Sequence, residues 1–181
     1  GDAVLPFVAD GVIAAMNGCK ATSWPIRNSA TLLFSALGTR IFGVKRSKNE
    51  LSKKNSMTAR SFFQRFPKLY IFLLEQINIA ADQIGTIAPC GKETNLRIIN
   101  PEKENPAYPS LIILAKLLPS PVSDTSETFK IEPFLPSLKS CCGSAIYRIR
   151  ELASQAYVSF TIAKYGSTTS FYGAIYRSSS I

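Results

Sequence analysis

The sequence predicts an all-α protein, on three observations. Apolar residues recur every three or four positions through most of residues 3–163, which is the spacing of one helix face. Glycine and proline mark turns between these periodic segments. No segment before residue 164 has the alternating pattern of a half-buried strand. Helices joined by turns form either a stacked solenoid or a compact bundle, and periodicity alone does not choose between them.

Seven helices are expected along the chain. They run over 3–18, 24–42, 59–66, 67–84, 109–118, 131–141 and 145–163. Thr58 is a candidate N-cap for the third helix, and Pro67 begins the fourth because proline inside a helix would kink it. The two prolines inside the sixth helix make it the least regular. The expected apolar face of the second helix consists of Ile26, Ala30, Leu33, Leu37 and Ile41.

The segments between the helices are polar. We expect a basic loop over 43–58 and a polar linker over 85–106, both within one helical segment spanning 1–163. Residues 164–181 are rich in Ser, Thr, Gly and Tyr and have no helical face. They are interpreted as an irregular tail, disordered or divergent from the rest.

The positive charge of the chain is concentrated in one stretch. The whole sequence has 21 basic and 12 acidic residues, a net charge of +9. Residues 20–68 contain eleven basic residues and one acidic residue, a net charge of +10. Such a patch suits an anionic partner: nucleic acid, an acidic protein or a membrane surface. An exposed loop that only maintains solubility explains the charge equally well.

The basic loop supplies most of the candidate binding residues. These are Lys45, Arg46, Lys48, Lys53, Lys54 and Arg60. Cations of this kind neutralise phosphates and give salt-sensitive affinity without base specificity. A basic cluster is also typical of a targeting signal. Phe62, Phe63 and Phe66 follow and could stack on unpaired bases, but a helical pattern of this type favours a core position.

Catalytic chemistry is not indicated. The absence of histidine excludes the common Ser-His-Asp and Cys-His mechanisms. No phosphate-binding glycine loop, dinucleotide fingerprint or serine-nucleophile elbow is present. The four cysteines lack zinc-ligand spacing, and the adjacent pair Cys141 and Cys142 is interpreted as small residues buried at a helix end. We therefore expect a non-catalytic chain with no cofactor or metal.

The cysteines and the lengths of the apolar runs indicate the cellular compartment. The longest apolar run, 69–74, is far shorter than the about 20 residues of a membrane helix. Unpaired-looking cysteines favour a reducing compartment, cytosolic or nuclear. The first residue is Gly1 rather than methionine, so we expect a fragment of a longer protein.

Two stretches resemble each other. Residues 23–30 and 145–153 each place an aromatic residue near a helix start, then an arginine after an apolar residue, then a small residue three positions further on. This pattern is typical of the second helix of a HEAT or armadillo repeat, where small residues allow close helix packing. The arginines, Arg27 and Arg150, are therefore interpreted as structural rather than functional.

Three longer runs resemble the thyroid adenoma-associated protein (THADA) family. The first is RNSATLLFSALGTRIFGVKRSKNELSKKNSMTARSFFQRFPKLYIFLL at 27–74. The others are YPSLIILAKLLPSP at 108–121 and PFLPSLKSCCGSAIYRIRELASQAYVSF at 133–160. The likeness extends through the irregular loop, so it is more specific than a repeat consensus. Residues 164–181 depart from the family pattern.

The resemblance implies an armadillo/HEAT-like α-solenoid fragment from the central region of a long, cytoplasmic protein. It implies a non-catalytic adaptor for an FtsJ-like tRNA 2′-O-methyltransferase, which binds S-adenosylmethionine and methylates a ribose in the tRNA anticodon loop. It also implies a link to the sarco/endoplasmic reticulum calcium pump and energy storage. Arg27, Asn28, Arg148 and Arg150 lie in well-matched stretches and are candidate structural or interface residues.

Two hypotheses follow. In the first, the chain supports tRNA ribose methylation and its basic loop contacts phosphates. In the second, it is a protein-interaction solenoid, for example one that regulates the calcium pump, and its basic loop is incidental.

Overall fold

The computed structural model describes residues 5–43, 57–85, 107–119 and 129–165. These contain seven α-helices and one short 3₁₀ helix, Glu132–Phe134. The α-helices are α1 (Leu5–Gly18), α2 (Trp24–Phe42), α3 (Ala59–Arg65), α4 (Pro67–Gly85), α5 (Ala107–Leu114), α6 (Leu135–Cys142) and α7 (Tyr147–Tyr165). Within the described ranges no strand forms, and an isolated parallel bridge joins Thr58 to Leu118. The all-α expectation is confirmed.

The helix boundaries follow local chemistry. Thr58 caps α3, because its side chain accepts a hydrogen bond from the Ser61 backbone N–H. Pro67 is the first residue of α4, as expected from its missing N–H. The predicted sixth helix is divided in two, because Pro133 lies in the 3₁₀ turn and Pro136 in the first turn of α6. α5 ends four residues earlier than predicted, and α7 extends two residues past its predicted end.

Several predicted segments lie outside the described residues. They are residues 44–56 of the basic loop, residues 86–106 of the polar linker and residues 166–181 of the tail. No described helix is both long enough and apolar enough to cross a membrane.

Helix α4 lies at the centre of the fold and packs against α1, α3, α5 and α6. Leu69, Leu73, Ile77 and Ala80 form its buried stripe, each no more than 1% exposed. Burying each of the three larger side chains contributes about 1.5–3 kcal/mol relative to exposure. These residues recur at the three- or four-residue spacing that the sequence analysis expects for one helix face.

An aromatic cluster fills the space beside α4. Phe63 packs edge-on against Tyr70 and stacks on Phe134, with ring centroids 5.1 and 5.6 Å apart. Phe134 meets Phe160 of α7 edge-on at 5.7 Å. The Tyr70 hydroxyl donates to the Lys130 carbonyl at 2.7 Å, which ties α4 to the chain entering the 3₁₀ turn. The cluster therefore connects α3, α4, the 3₁₀ turn and α7.

Two helical hairpins flank this centre: α1 with α2, and α6 with α7. α2 packs mainly on α1, and Ala30 is its buried residue. The expectation that Ile26 and Leu33 face the core is wrong, since they are 53% and 44% exposed. The periodicity located the apolar face of α2, but no described helix covers that part of it.

The α1–α2 hairpin depends on a close approach at Gly18. A Cβ atom at Gly18 would lie 2.8 Å from the Ala30 Cβ, whereas one at Gly38, inside α2, would meet nothing within 4 Å. We expect Gly18→Ala to lower the free energy of unfolding by about 1–3 kcal/mol through overpacking. Gly38→Ala should raise it by about 0.5–1 kcal/mol, because alanine favours the helix.

Urea denaturation followed by circular dichroism measures both variants. Equal effects of the two substitutions would contradict the close packing of α1 on α2.

Two buried serines differ in their hydrogen bonding. Ser110 Oγ has no partner among the described residues, whereas Ser144 Oγ accepts from the Ile146 N–H at 3.2 Å. Ser110→Ala should leave the free energy of unfolding unchanged or raise it, because the buried hydroxyl already carries an uncompensated desolvation cost. Ser144→Ala should lower it by about 0.5–1.5 kcal/mol.

The same denaturation experiment compares the pair. A larger loss for Ser110→Ala than for Ser144→Ala would show that Ser110 has a partner after all.

Candidate nucleic-acid interface

The two ends of the basic loop are fixed at one place in the fold. At the first end, Gly43 terminates α2 with φ 72°, a conformation that favours glycine, and its N–H donates to the Thr39 carbonyl at 2.7 Å. At the second end, the Leu118 N–H donates to the Met57 carbonyl at 2.9 Å. The Ala59 N–H donates back to the Leu118 carbonyl at 3.2 Å. Backbone bonds therefore hold the loop's exit beside the chain that follows α5.

Aromatic contacts bring the end of α2 to the same place. Phe42 stacks on Phe62 of α3 with ring centroids 5.9 Å apart and planes within 14°. Lys116, just after α5, lies with its Nζ 5.2 Å from the Phe42 ring centroid, within cation–π range. We call this meeting point of α2, α3 and the chain after α5 the junction, defined by Phe42, Phe62, Lys116 and Leu118.

The structure locates only part of the predicted basic set. Lys45, Arg46, Lys48, Lys53 and Lys54 lie outside the described residues. Arg60 is half-buried in the first turn of α3, one residue after the Ala59 contact. Arg40 in the last turn of α2 and Lys116 are exposed. Arg40 lies inside the basic stretch, residues 20–68, and could be found from the sequence. Lys116 lies far outside that stretch, so counting charges along the sequence does not place it near the basic loop.

A cavity of about 270 Å³ lies beside the junction. α2 contributes the hydroxyl-bearing residues Thr31, Ser35 and Thr39, spaced one helical turn apart. The apolar part of the wall is formed by Val12, Phe34, Ile41, Phe42, Ile112 and Ile113. Lys116 also lines the cavity, so its positive charge lies against a mainly apolar groove.

The three phenylalanines after the basic loop belong to the core. Phe62 and Phe63 are fully buried and Phe66 is 3% exposed. Phe62 meets both neighbours edge-on, at 5.3 and 5.4 Å. These rings have no free face for a nucleobase, and the core interpretation is confirmed.

Arg27 and Arg150 make the same contacts in the two hairpins. Arg27 Nη1 donates to the carbonyls of Ala21 and Thr22, at 2.8 and 2.7 Å. Arg150 Nη1 donates to the carbonyls of Ser144 and Ala145, at 2.8 and 2.9 Å. In each hairpin the acceptors lie six and five residues before the arginine, within the turn between the helices. Each guanidinium therefore closes its own turn.

The likeness of the hairpins extends to their cysteines. Arg27 and Arg150 are 123 positions apart in the sequence. The same offset relates Cys19 to Cys142 and Thr31 to Ser154, and in each hairpin the cysteine contacts the hydroxyl residue. Cys19 Sγ lies 3.8 Å from Thr31 Oγ1, and Ser154 Oγ donates to Cys142 Sγ at 3.6 Å. The two hairpins are thus copies of one structural unit in a single register.

Asn28 and Arg148, the other candidates from the matched stretches, are both exposed. Arg148 forms an ion pair with Glu151 at 2.5 Å. The hydrogen bond that Arg148 donates to Glu151, supplemented by one to Tyr108, raises the pKa of the Arg148 guanidinium above its usual value. Arg148 therefore stays charged beside the start of α7.

The adjacent cysteines do not form a reactive pair. Cys141 is fully buried and Cys142 half-buried. Burial, with a smaller contribution from Cys142, raises the pKa of the Cys141 thiol to about 11, so it stays protonated near neutral pH. The described residues also contain no cluster of His, Cys, Asp or Glu suited to a metal ion.

Comparison with known proteins identifies the family to which the chain belongs. Residues 27–172 match the family model described as Trm732, C-terminal TPR repeats. The chain belongs to this family. TPR repeats are helical hairpins stacked as a solenoid, in agreement with the two equivalent hairpins seen here. The predicted all-α solenoid is confirmed, with TPR as the repeat named by the family.

The curated relatives carry regulator names. The chain is 44% identical over 166 residues to the tRNA (32-2′-O)-methyltransferase regulator THADA of Gallus gallus, and 42% identical over 162 residues to that of Homo sapiens. Each match covers 90% of this chain and 8% of the relative. The regulator trm732 of Schizosaccharomyces pombe is 26% identical over 151 residues, or 82% of this chain and 9% of the relative. No solved structure matches.

The turn contacts of the two arginines predict parallel losses of stability. Arg27→Ala and Arg150→Ala should each lower the free energy of unfolding by about 1.5–3 kcal/mol, because each removes two charge-assisted hydrogen bonds. Asn28→Ala, an exposed change next to Arg27, should alter it by less than about 0.5 kcal/mol.

Chemical denaturation of the three variants is the measurement. If Asn28→Ala proved as damaging as Arg27→Ala, the guanidinium contacts would not be what closes the turn.

Proposed function

We propose that this chain is part of a non-catalytic regulatory subunit that supports tRNA ribose 2′-O-methylation. Support comes from the names of its relatives, each a regulator of a tRNA (32-2′-O)-methyltransferase. The chain spans less than a tenth of their length, so the function belongs to the longer protein. In this division of labour an FtsJ-like partner binds S-adenosylmethionine and transfers the methyl group, while the solenoid positions the tRNA.

The basic loop is the proposed contact with tRNA phosphates. Residues 44–56 contain five basic residues and one acidic residue. The fold holds both of their flanking residues, Gly43 and Met57, by backbone hydrogen bonds. The observation that carries the proposal is that Arg40, Arg60 and Lys116 lie on the elements that meet at this point.

This arrangement suits the recognition of a folded RNA by its charge. Several cations on and beside the junction would produce a local positive potential that attracts phosphates and orients the RNA without reading bases. The base-stacking role considered for the phenylalanines is not part of the proposal, because those rings are buried. Specificity for the target nucleotide is assigned to the catalytic partner.

A second candidate function is protein binding by the solenoid. It is favoured by the apolar side chains on α2, among them Trp24 at 66% and Leu32 at 64% exposure. Binding to the calcium pump stays a prediction. The cytoplasmic location of the protein also stays a prediction. Capture of a methyltransferase that is independent of RNA and of the basic loop would favour protein binding.

Salt-dependent tRNA binding by the full-length protein tests the phosphate contacts. Changing Lys45, Arg46, Lys48, Lys53 and Lys54 together to Ser should weaken binding at least about tenfold at about 50 mM salt. The slope of log affinity against log salt should fall by about 3.5–4.5 if all five residues contact phosphates, since each lost phosphate contact removes about 0.7–0.9. Ribose methylation by the complex should fall at subsaturating tRNA and recover at high tRNA.

A matched pair of double variants provides the control. Lys53→Ser with Lys54→Ser should reduce the slope, whereas Lys130→Ser with Lys139→Ser, two exposed lysines outside the elements that form the junction, should not. An unchanged affinity and slope for the five-residue variant would reject the loop as a tRNA contact.

A further inference from the structure

The cavity beside the junction is enclosed by helices of the described chain. Residues of α2 between 31 and 42 line one side of it, and Ile112 of α5 and Lys116 lie on the other. Val12 of α1 and Ile113 of α5 are 1% and 3% exposed, so they form its floor. We call this cavity the α2–α5 groove.

Gly38 opens the wall of the groove in the interior of α2. Glycine is less favourable than alanine inside a helix, and it is retained where another group approaches the backbone closely. The Cβ atom of an alanine at Gly11 would lie 3.2 Å from Leu37, so that glycine serves the packing of α1 on α2. A Cβ atom at Gly38 would meet nothing within 4 Å among the described residues outside its own stretch of backbone. The space beside Gly38 is therefore open to a ligand rather than used by the fold.

The walls of the groove suit an apolar group. Phe34, Ile41 and Ile112 line it and are only partly buried, so apolar surface stays accessible there. The Thr31 hydroxyl on its edge already donates to the Arg27 carbonyl at 2.8 Å, the usual bond of a threonine inside a helix. A sugar or a nucleotide would place unpaired polar groups against these walls, which costs free energy.

Positive charge lies at one end of the groove. Among the described residues that line it, Lys116 alone carries a charge. The Lys116 Nζ lies 5.2 Å from the Phe42 ring centroid, so a cation–π contact holds it at the last residue of α2. Arg40 in the last turn of α2 offsets the negative end of the helix dipole at this point. Thr31, at the other end of the lining, is eleven positions from Phe42, or about 16 Å along the helix.

We propose that the α2–α5 groove binds an unbranched aliphatic carboxylate of medium chain length. Its carboxylate pairs with the Lys116 ammonium group, and its chain runs past Gly38 toward Thr31. The charge of the head complements the lysine, and a narrow chain fits the space beside the glycine backbone. The proposal is independent of tRNA binding.

The size of the groove also favours a single chain. Its volume of about 270 Å³ is slightly below the range of about 300–1,000 Å³ that is typical of sites for drug-sized molecules. A helix of a partner protein, about 10 Å across with its side chains, would not enter such a space. A flexible hydrocarbon chain fills it and buries its own apolar surface against the walls.

Isothermal titration calorimetry of the full-length protein with decanoate tests the proposal. Decanoate should bind saturably, whereas decanol, which lacks the charge, and acetate, which lacks the chain, should each bind at least about tenfold more weakly. Lys116→Gln should remove most of the preference for decanoate over decanol, because it removes the cation and leaves the walls intact. Absence of decanoate binding, or equal binding of decanol to the unaltered protein, would overturn the proposal.

A matched pair of α2 variants assigns the binding to this groove. Gly38→Leu should fill it and weaken decanoate binding at least about tenfold. Ala36→Leu adds the same side chain at an exposed position of α2 that does not line the groove, and should leave the affinity unchanged. Gly38→Ala should weaken binding while raising the free energy of unfolding, and a misfolded variant would not combine these two changes. Unchanged decanoate affinity in Gly38→Leu would refute the assignment.

Photolabelling provides a second readout of the same site. A decanoate analogue with a diazirine at the end of its chain, followed by peptide mass spectrometry, should label α1, α2 or α5 of the full-length protein. The labelling should be lost in Gly38→Leu and kept in Ala36→Leu. Labelling of these helices that persists in Gly38→Leu, or that occurs only elsewhere in the protein, would contradict the proposal.

Discussion

Burial of the α4 stripe is the interaction on which the rest of the fold depends. Through α4 this stripe joins both hairpins to the core, since α4 packs against α1 of the first hairpin and α6 of the second. The two lysine contacts between α4 and the first hairpin orient the helices and add little energy. Lys20 Nζ donates to the Gln76 side chain at 2.5 Å, and Lys68 pairs with Asp10 at 2.9 Å at the surface, where such a pair contributes at most about 1 kcal/mol.

The sequence predicted what is locally determined. Thr58 as a cap, Pro67 as a helix start and the spacing of Leu69, Leu73 and Ile77 depend on residues within a turn or two of each other. The exposure of Ile26 could not be predicted in this way, because burial depends on which helix packs there. The contact of Leu118 with Met57 was equally inaccessible, since it joins segments about sixty residues apart. The arginine pattern was visible in the sequence, but its carbonyl acceptors were not.

The candidate interface combines both kinds of information. Composition located the positive charge, and the fold shows that the loop carrying it begins and ends at one junction next to Arg40 and Lys116. Membership in the Trm732 C-terminal TPR repeat family then gives this arrangement a context, because its relatives are named as methyltransferase regulators.

The arginine contacts at the two turns make the frame insensitive to proton concentration near neutrality. A guanidinium stays charged at any physiological pH, and backbone carbonyls do not titrate. The chain has no histidine, and the described groups with shifted values, Tyr70, Cys141 and Arg148, all have a raised pKa. For Cys141 the sign is clear: its contribution to stability is complete below its ordinary pKa of 9.0 and declines as the pH rises toward about 11. Mild acidification would therefore leave these turn contacts intact, and with them the closure of both hairpins.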